Sequence, residues 1–184
     1  MLFKKLFSAA AISSCVLAAS CLKNDDSTTT TSSYQDPTLE MSAIDNFADS
    51  AGFDMIYASN LTGFKYEVVE VGDTTGKITT ATPIGVFKYK VTLLSGTGLD
   101  SSYKQTDSLL SVDFTSSSYS VLFQTYAFQY VFINPYIPQK VGTGGHIRFI
   151  TPSAYAFQTA GYGSVIPSNA PLYYDVYFDS VKSY

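Results

Sequence analysis

VGTGGHIRFITPSAYAFQTAGYGSVIPSNAPLYYDVYFDS, residues 141–180, is the stretch on which the fold turns. Ile147–Ile150 and Leu172–Val181 set apolar, β-branched and aromatic residues against polar ones such as Arg148, Asp175 and Asp179, which predicts two strands. A long aromatic-rich loop, ending in Val165-Ile166-Pro167, joins them. Val141-Gly-Thr-Gly-Gly145 lacks the lysine and following Ser/Thr of a phosphate loop, and no helical pattern follows it, so it reads as a turn entering a strand.

Upstream of this stretch the period of two continues. Phe64, Tyr66 and Val68 alternate with Lys65 and Glu67 before a turn at Gly72-Asp73. Val86–Leu94 and Leu109–Phe114 are further strand candidates, and Val121–Ile133 is an apolar aromatic stretch that reads as a strand and a short helix. Between Thr38 and Ala58 the period changes: Leu39, Ile44, Phe47, Ala48, Ala51, Met55 and Ile56 recur at three- and four-residue spacing with acids between them. This predicts an amphipathic helix within residues 37–60, with Gly52 as a candidate break. Fifteen tyrosines and thirteen phenylalanines, with no tryptophan, suit a twisted antiparallel sheet, where flat rings fill half-buried surface and phenol oxygens reach water.

The first residues read differently. Lys4-Lys5, an apolar run from Leu6 to Ala19, and Ser20-Cys21 follow the layout of a secretory signal over residues 1–20. Ala18-Ala19-Ser20-Cys21 resembles a bacterial lipobox, which makes Cys21 the lipidation site and anchors the protein through acyl chains. Residues 21–36 are then the lipidated cysteine and a Ser/Thr-rich tether with too little apolar surface to repay its ordering entropy. Lys23 and Asp25-Asp26 look like the export signals of Bacteroidetes surface lipoproteins, or equally like a solvated linker. The expected location is a bacterial outer membrane lipoprotein facing periplasm or cell surface. Cys15 and Cys21 are the chain's cysteines, so the exported domain has no disulfide to lean on and depends on its core.

Composition removes several chemistries. A net charge of −4, without a basic patch or arginine stripe, argues against nucleic acid as a partner. The single histidine, His146, lies in a predicted strand and reads as structural; it cannot supply the three protein ligands of a zinc site. No metal or other cofactor is expected, and a hydrolase with a nucleophile and base within reach of one another is a poor reading.

Two separated segments carry a family resemblance. Lys88-Tyr89-Lys90-Val91-Thr92-Leu93-Leu94-Ser95-Gly96-Thr97-Gly98-Leu99-Asp100-Ser101-Ser102 has the spacing of tyrosine, leucine, glycine and aspartate-serine-serine found in the FK506-binding-protein (FKBP) family of peptidyl-prolyl isomerases. Downstream, Val141-Gly142, Tyr155-Ala156-Phe157, Gly161, Val165-Ile166-Pro167, Ala170, Leu172 and Asp175-Val176 follow in that family's order. Gly63–Val69 followed by Gly72 looks like the first strand of FKBP-like lipoproteins. The resemblance covers residues 61–184 and implies an α+β fold: a twisted antiparallel half-barrel of five or six strands packed on a short helix, preceded by the N-terminal helix.

It also implies a site. Turning an X-Pro bond crosses a barrier of about 20 kcal/mol because twisting destroys amide resonance. The twisted amide is less polar than the planar one, so an apolar, water-poor cavity of fixed shape favours it differentially. Carried over, the catalytic positions are Tyr89, Asp100 and Tyr155, and the substrate-binding positions are Leu99, Phe132, Phe157, Val165, Ile166 and Tyr174. Phe132 is the expected floor, and either Tyr155 or Phe157 takes the family's loop tyrosine position. Leu99 replaces the family phenylalanine, Lys90-Val91 replaces threonine-glycine, and the family's proline-phenylalanine-x-phenylalanine strand is not recognisable near Leu109. Three functions follow as expectations: a membrane-anchored isomerase acting on proline-containing segments of exported proteins, a non-catalytic peptide- or partner-binding lipoprotein, and a glycan-binding surface lipoprotein.

Overall fold

A computed structural model describes residues 35–101, 109–116, 121–123, 125–133 and 141–184. The expected signal, Cys21 and the tether up to residue 34 lie outside the described residues. Among the latter, one antiparallel sheet holds β1 (Ile56–Tyr57), β2 (Lys65–Glu70), β3 (Ile84–Leu93), β4 (Gly98–Ser101), β5 (Leu110–Asp113), β6 (Gly145–Thr151) and β7 (Leu172–Lys182). The strand order is β1-β2-β6-β7-β3-β4, and β5 pairs with β3 beside β4. Two helices accompany it, α1 (Met41–Ser50) and α2 (Tyr126–Phe132).

Alternation along β7 shows why the sheet has two unlike faces. Leu172, Tyr174, Val176 and Phe178 are buried in the main core, while Asp175, Tyr177 and Asp179 point the other way. Each inward residue has an apolar partner across the strand: Phe149 opposite Tyr174, Val91 opposite Tyr174, and Ile147 opposite Val176. α2 lies over this inner face, with Ala127, Phe128, Tyr130 and Val131 buried in the same cluster. Thr125 caps it, its Oγ accepting the Phe128 N–H at 3.3 Å.

The outer face carries a cross-strand row of alternating charge, Glu67 opposite Arg148, Arg148 opposite Asp175, and Asp175 opposite Lys90. His146 sits beside that row, buried, its Nε2 2.5 Å from the Asp175 carboxylate and its ring stacked 3.8 Å from Tyr177. It is thus held by structural contacts, as read from the sequence. At one end of the outer face α1 covers Ile150 and Tyr173 with Ile44 and Ala48, and Met55 completes this second apolar cluster.

The N-terminal helix is shorter than its periodicity predicts. Asp36 accepts the Thr38 N–H at 2.9 Å, Pro37 opens a 3-10 turn over Pro37–Glu40, and α1 runs only to Ser50. Gly52, at φ +67°, turns the chain out of the helix, and Ile56–Tyr57 pairs with Lys65–Tyr66 as β1. Ile56 is consequently 58% exposed and Leu39 72% exposed, although both fall on the predicted apolar stripe. Sheet pairing overrides the helical period there, and the Tyr57 hydroxyl and Lys65 ammonium fasten both elements by donating to Asp45, each at 2.8 Å.

One other expectation shifts. Val121–Phe123 is a 3-10 turn rather than a strand. The segment after Gly96, which falls between the strand candidates Val86–Leu94 and Leu109–Phe114, forms β4 and pairs Asp100 with Val91.

Candidate active site

β3 and β4 create the central feature of the site. β4 sets Asp100 opposite Val91, and the Tyr89 hydroxyl, two residues earlier on β3, donates to Asp100 Oδ2 at 2.7 Å. Burial first, and then the hydrogen bond to Asp100, push the Tyr89 phenol well above the ordinary tyrosine range. The group therefore stays protonated at physiological pH and acts as a donor, never as a base.

Behind Tyr89 the wall is aromatic. The Phe123 ring meets Tyr89 edge to face at 4.6 Å, and Phe128 meets Phe123 in the same way at 4.9 Å. Tyr174, fully buried, stacks on Phe149 at 4.7 Å and donates its hydroxyl to the Leu122 carbonyl at 2.7 Å. That bond ties the 3-10 turn carrying Phe123 to β7. Tyr89, Ile166 and Tyr174 belong to one buried cluster, and Leu99, Phe132, Tyr155 and Phe157 pack against its margin.

Not every residue expected at the site faces the same way. Phe132 packs on Phe87 at 4.7 Å, Phe128 at 4.9 Å and Phe178 at 5.6 Å, at the far end of α2. Phe123 is a ring that does stand against Tyr89, and its place in Val121-Leu122-Phe123 gave no hint of that contact. Val165, in a turn whose Val165 and Ile166 N–H groups donate to the Tyr162 carbonyl, is 54% exposed, while its neighbour Ile166 is buried. Asp100 is solvent-exposed, although it accepts the Tyr89 hydroxyl. Phe114, just past β5, was also unrecognised: it lies against the core with its ring 6.1 Å from Phe128 and nearly parallel to it.

The long loop supplies the remaining wall and concentrates backbone strain. Gln158 and Asn169 are the non-glycine residues with positive φ among the described residues, both at 54°, and Asn169 donates its N–H to the Gln158 carbonyl at 2.9 Å. Gly161, at φ +61°, passes so close to the Ile166 carbonyl that an added Cβ would stand 2.3 Å from it. Tyr155 approaches Tyr126 at 6.1 Å and Phe157 approaches Tyr162 at 5.7 Å. Each of the two candidates for the loop position thus has its own aromatic partner.

At the start of this loop Glu40, from the segment leading into α1, is buried and accepts the Ser153 N–H at 2.7 Å and the Ser153 hydroxyl. Sequence reading placed Glu40 among the acids between apolar helix positions. The contact spans 113 residues of chain, and no local pattern announces it.

The fold has counterparts in solved structures. FkpA from Escherichia coli matches over 78% of this chain at 26% identity with a TM-score of 0.53, and this chain spans 59% of the FkpA length. The fold is FKBP-like. The structure titled AtFKBP13 matches over 70% of this chain and 98% of its own at 16% identity and a TM-score of 0.56. A peptidyl-prolyl cis-trans isomerase from Pseudomonas syringae pv. tomato matches over 81% of this chain and 98% of its own at 16% identity and 0.53. These last two attest the fold alone. No family model matches the sequence, and no curated protein does.

The buried phenols of the FKBP-like body make an alkaline prediction. Burial pushes Tyr174 and Tyr173 well above the ordinary tyrosine range, alongside Tyr89. A phenol raised in the folded state contributes stability that is complete below its unfolded pKa of about 10 and is lost as pH climbs beyond it. The fold should therefore hold to about pH 10 and weaken above it. Tyrosinate absorbance and circular dichroism, followed together, should show these phenols ionising in step with loss of the sheet.

Proposed function

We propose that this chain is a peptidyl-prolyl cis-trans isomerase, anchored to the bacterial outer membrane through acyl chains on Cys21 and acting on proline-containing segments of exported proteins. The observation that carries the reading is the Tyr89–Asp100 hydrogen bond at the margin of an aromatic wall on an FKBP-like sheet. Rings from β3, the 3-10 turn, α2 and β7 offer the apolar surroundings a twisted amide prefers, with no proton transfer required.

A proline-peptide isomerisation assay on the purified full chain tests it. Acceleration over the spontaneous rate, which is tens of seconds at 25 °C, is expected, and a rate equal to the uncatalysed one rejects the proposal. Tyr89→Phe should change stability by only about 1 kcal/mol, because exposed Asp100 can turn to water. Its catalytic rate should nonetheless fall several-fold, because the hydroxyl that donates to Asp100 at the site margin is gone.

One observation favours a second reading, peptide capture without acceleration. Phe123 and Tyr174 are fully buried and Ile166 is 2% exposed, so the inner wall is largely filled by its own side chains. Binding of proline peptides with no rate enhancement is the outcome that selects it.

A further inference from the structure

A groove of about 670 Å³ runs beside the candidate active site, between the start of the N-terminal segment and the long loop. Its walls include Asp36, Leu61, Tyr126, Ala154, Tyr155 and Gln158. Tyr126, 55% exposed, and Tyr155 hold their rings 6.1 Å apart at an interplanar angle of 43°, forming an open aromatic cleft. Among the described residues Asp36 is the one ionisable carboxylate on the lining, and no described cation accompanies it there.

We propose that this groove takes a lysine or arginine side chain of the peptide whose proline lies at the neighbouring site. The inference rests on the isomerase or peptide-capture reading for its ligand class. Three features select a basic side chain. A lysine or arginine stem is apolar and can lie along the tyrosine faces, where its cationic head also gains from the ring quadrupole. Asp36 Oδ1 is taken up by the Thr38 N–H at 2.9 Å and the Thr38 hydroxyl at 2.8 Å, which leaves Oδ2 without a protein partner among the described residues. Those two donors also hold the Asp36 carboxyl below the usual carboxylate range, so it is ionised at neutral pH.

The groove's position explains why the ligand is a peptide rather than a free amine. Tyr155 belongs both to this lining and to the margin of the core that carries Tyr89. On this proposal a chain held at the candidate active site extends past Tyr155 into the groove. The net charge of −4 on the whole chain favours basic segments at longer range as well.

Proline peptides that differ only in lysine, arginine, glutamine or glutamate at successive positions on either side of the proline supply the test. The full chain contains no tryptophan, so a tryptophan placed in each peptide reports binding without background from the protein. At one flanking position lysine and arginine peptides should bind about 3- to 10-fold tighter than glutamine, and glutamate more weakly still. The preference should vanish in Asp36→Asn, shrink in Tyr126→Leu and fade at high salt.

Equal affinity of lysine and glutamine peptides at every position, or a preference that survives Asp36→Asn, overturns the proposal. Absence of binding by any peptide overturns it too. Both substituted residues are exposed, so unchanged thermal unfolding verifies that the variants are folded. Failure of the isomerase reading stays separately visible. A lysine peptide bound in an Asp36-dependent way, without faster proline isomerisation, supports the groove while rejecting catalysis.

Discussion

Phe128→Ala should cost the domain about 3–5 kcal/mol, the largest loss expected for any single core truncation here. Phe128 is fully buried on the inner side of α2, and its ring is the meeting point of elements far apart in sequence. It lies 5.4 Å from Phe87 on β3, 4.9 Å from Phe123, 4.9 Å from Phe132, 6.5 Å from Phe149 on β6 and 6.2 Å from Tyr174 on β7. Close-packed rings held by the sheet backbone cannot collapse into the space, so the loss adds a cavity to the missing transfer free energy. Denaturant titration should show a lowered midpoint at nearly unchanged slope. Phe128→Leu, which refills most of the volume, should recover more than half of the loss. Because Phe123 rests on Phe128 and Tyr89 on Phe123, proline-peptide binding should weaken further than the stability of the folded fraction explains.

Glu40→Ala should cost about 2–4 kcal/mol, since it strands two buried donors on Ser153. The substitution removes no large apolar surface. Its effect should therefore be local, and amide hydrogen exchange is the direct measure. Exchange should speed up at Ser153, Ala156 and Gln158, whose N–H groups donate into the turn that Glu40 caps, while the β3–β7 ladder stays protected. Glu40→Gln keeps an acceptor for one donor and should recover about half of the lost stability. Unchanged exchange across residues 153–158 in Glu40→Ala would show that the loop carrying Tyr155 and Phe157 does not depend on the N-terminal segment.

These two residues mark the difference between what local pattern reveals and what it hides. The strands around Tyr66, Tyr89, Ile147 and Tyr174 were legible because side chains alternate across a sheet, so burial on one face prints a period of two into the chain. The short helix in the Val121–Ile133 stretch was legible in kind, and α1 through Ile44 and Ala48 on one stripe. β1 was not, because two strand residues carry too short a pattern to compete with the helical period before them. The Tyr89–Asp100 pair could be suspected from the spacing of a family's residues. Its geometry required β4 to form after Gly96.

The amino-acid order by itself determined the two-faced antiparallel sheet and the aromatic core, because each follows from residue type and short-range spacing. Folding decided which ring stands against Tyr89, that Glu40 is buried beneath Ser153, and that Asp36 and Tyr126 face one groove. Those contacts join segments tens of residues apart. Their partners are chosen by shape and unsatisfied hydrogen bonds, quantities that exist only once the sheet has brought the segments together.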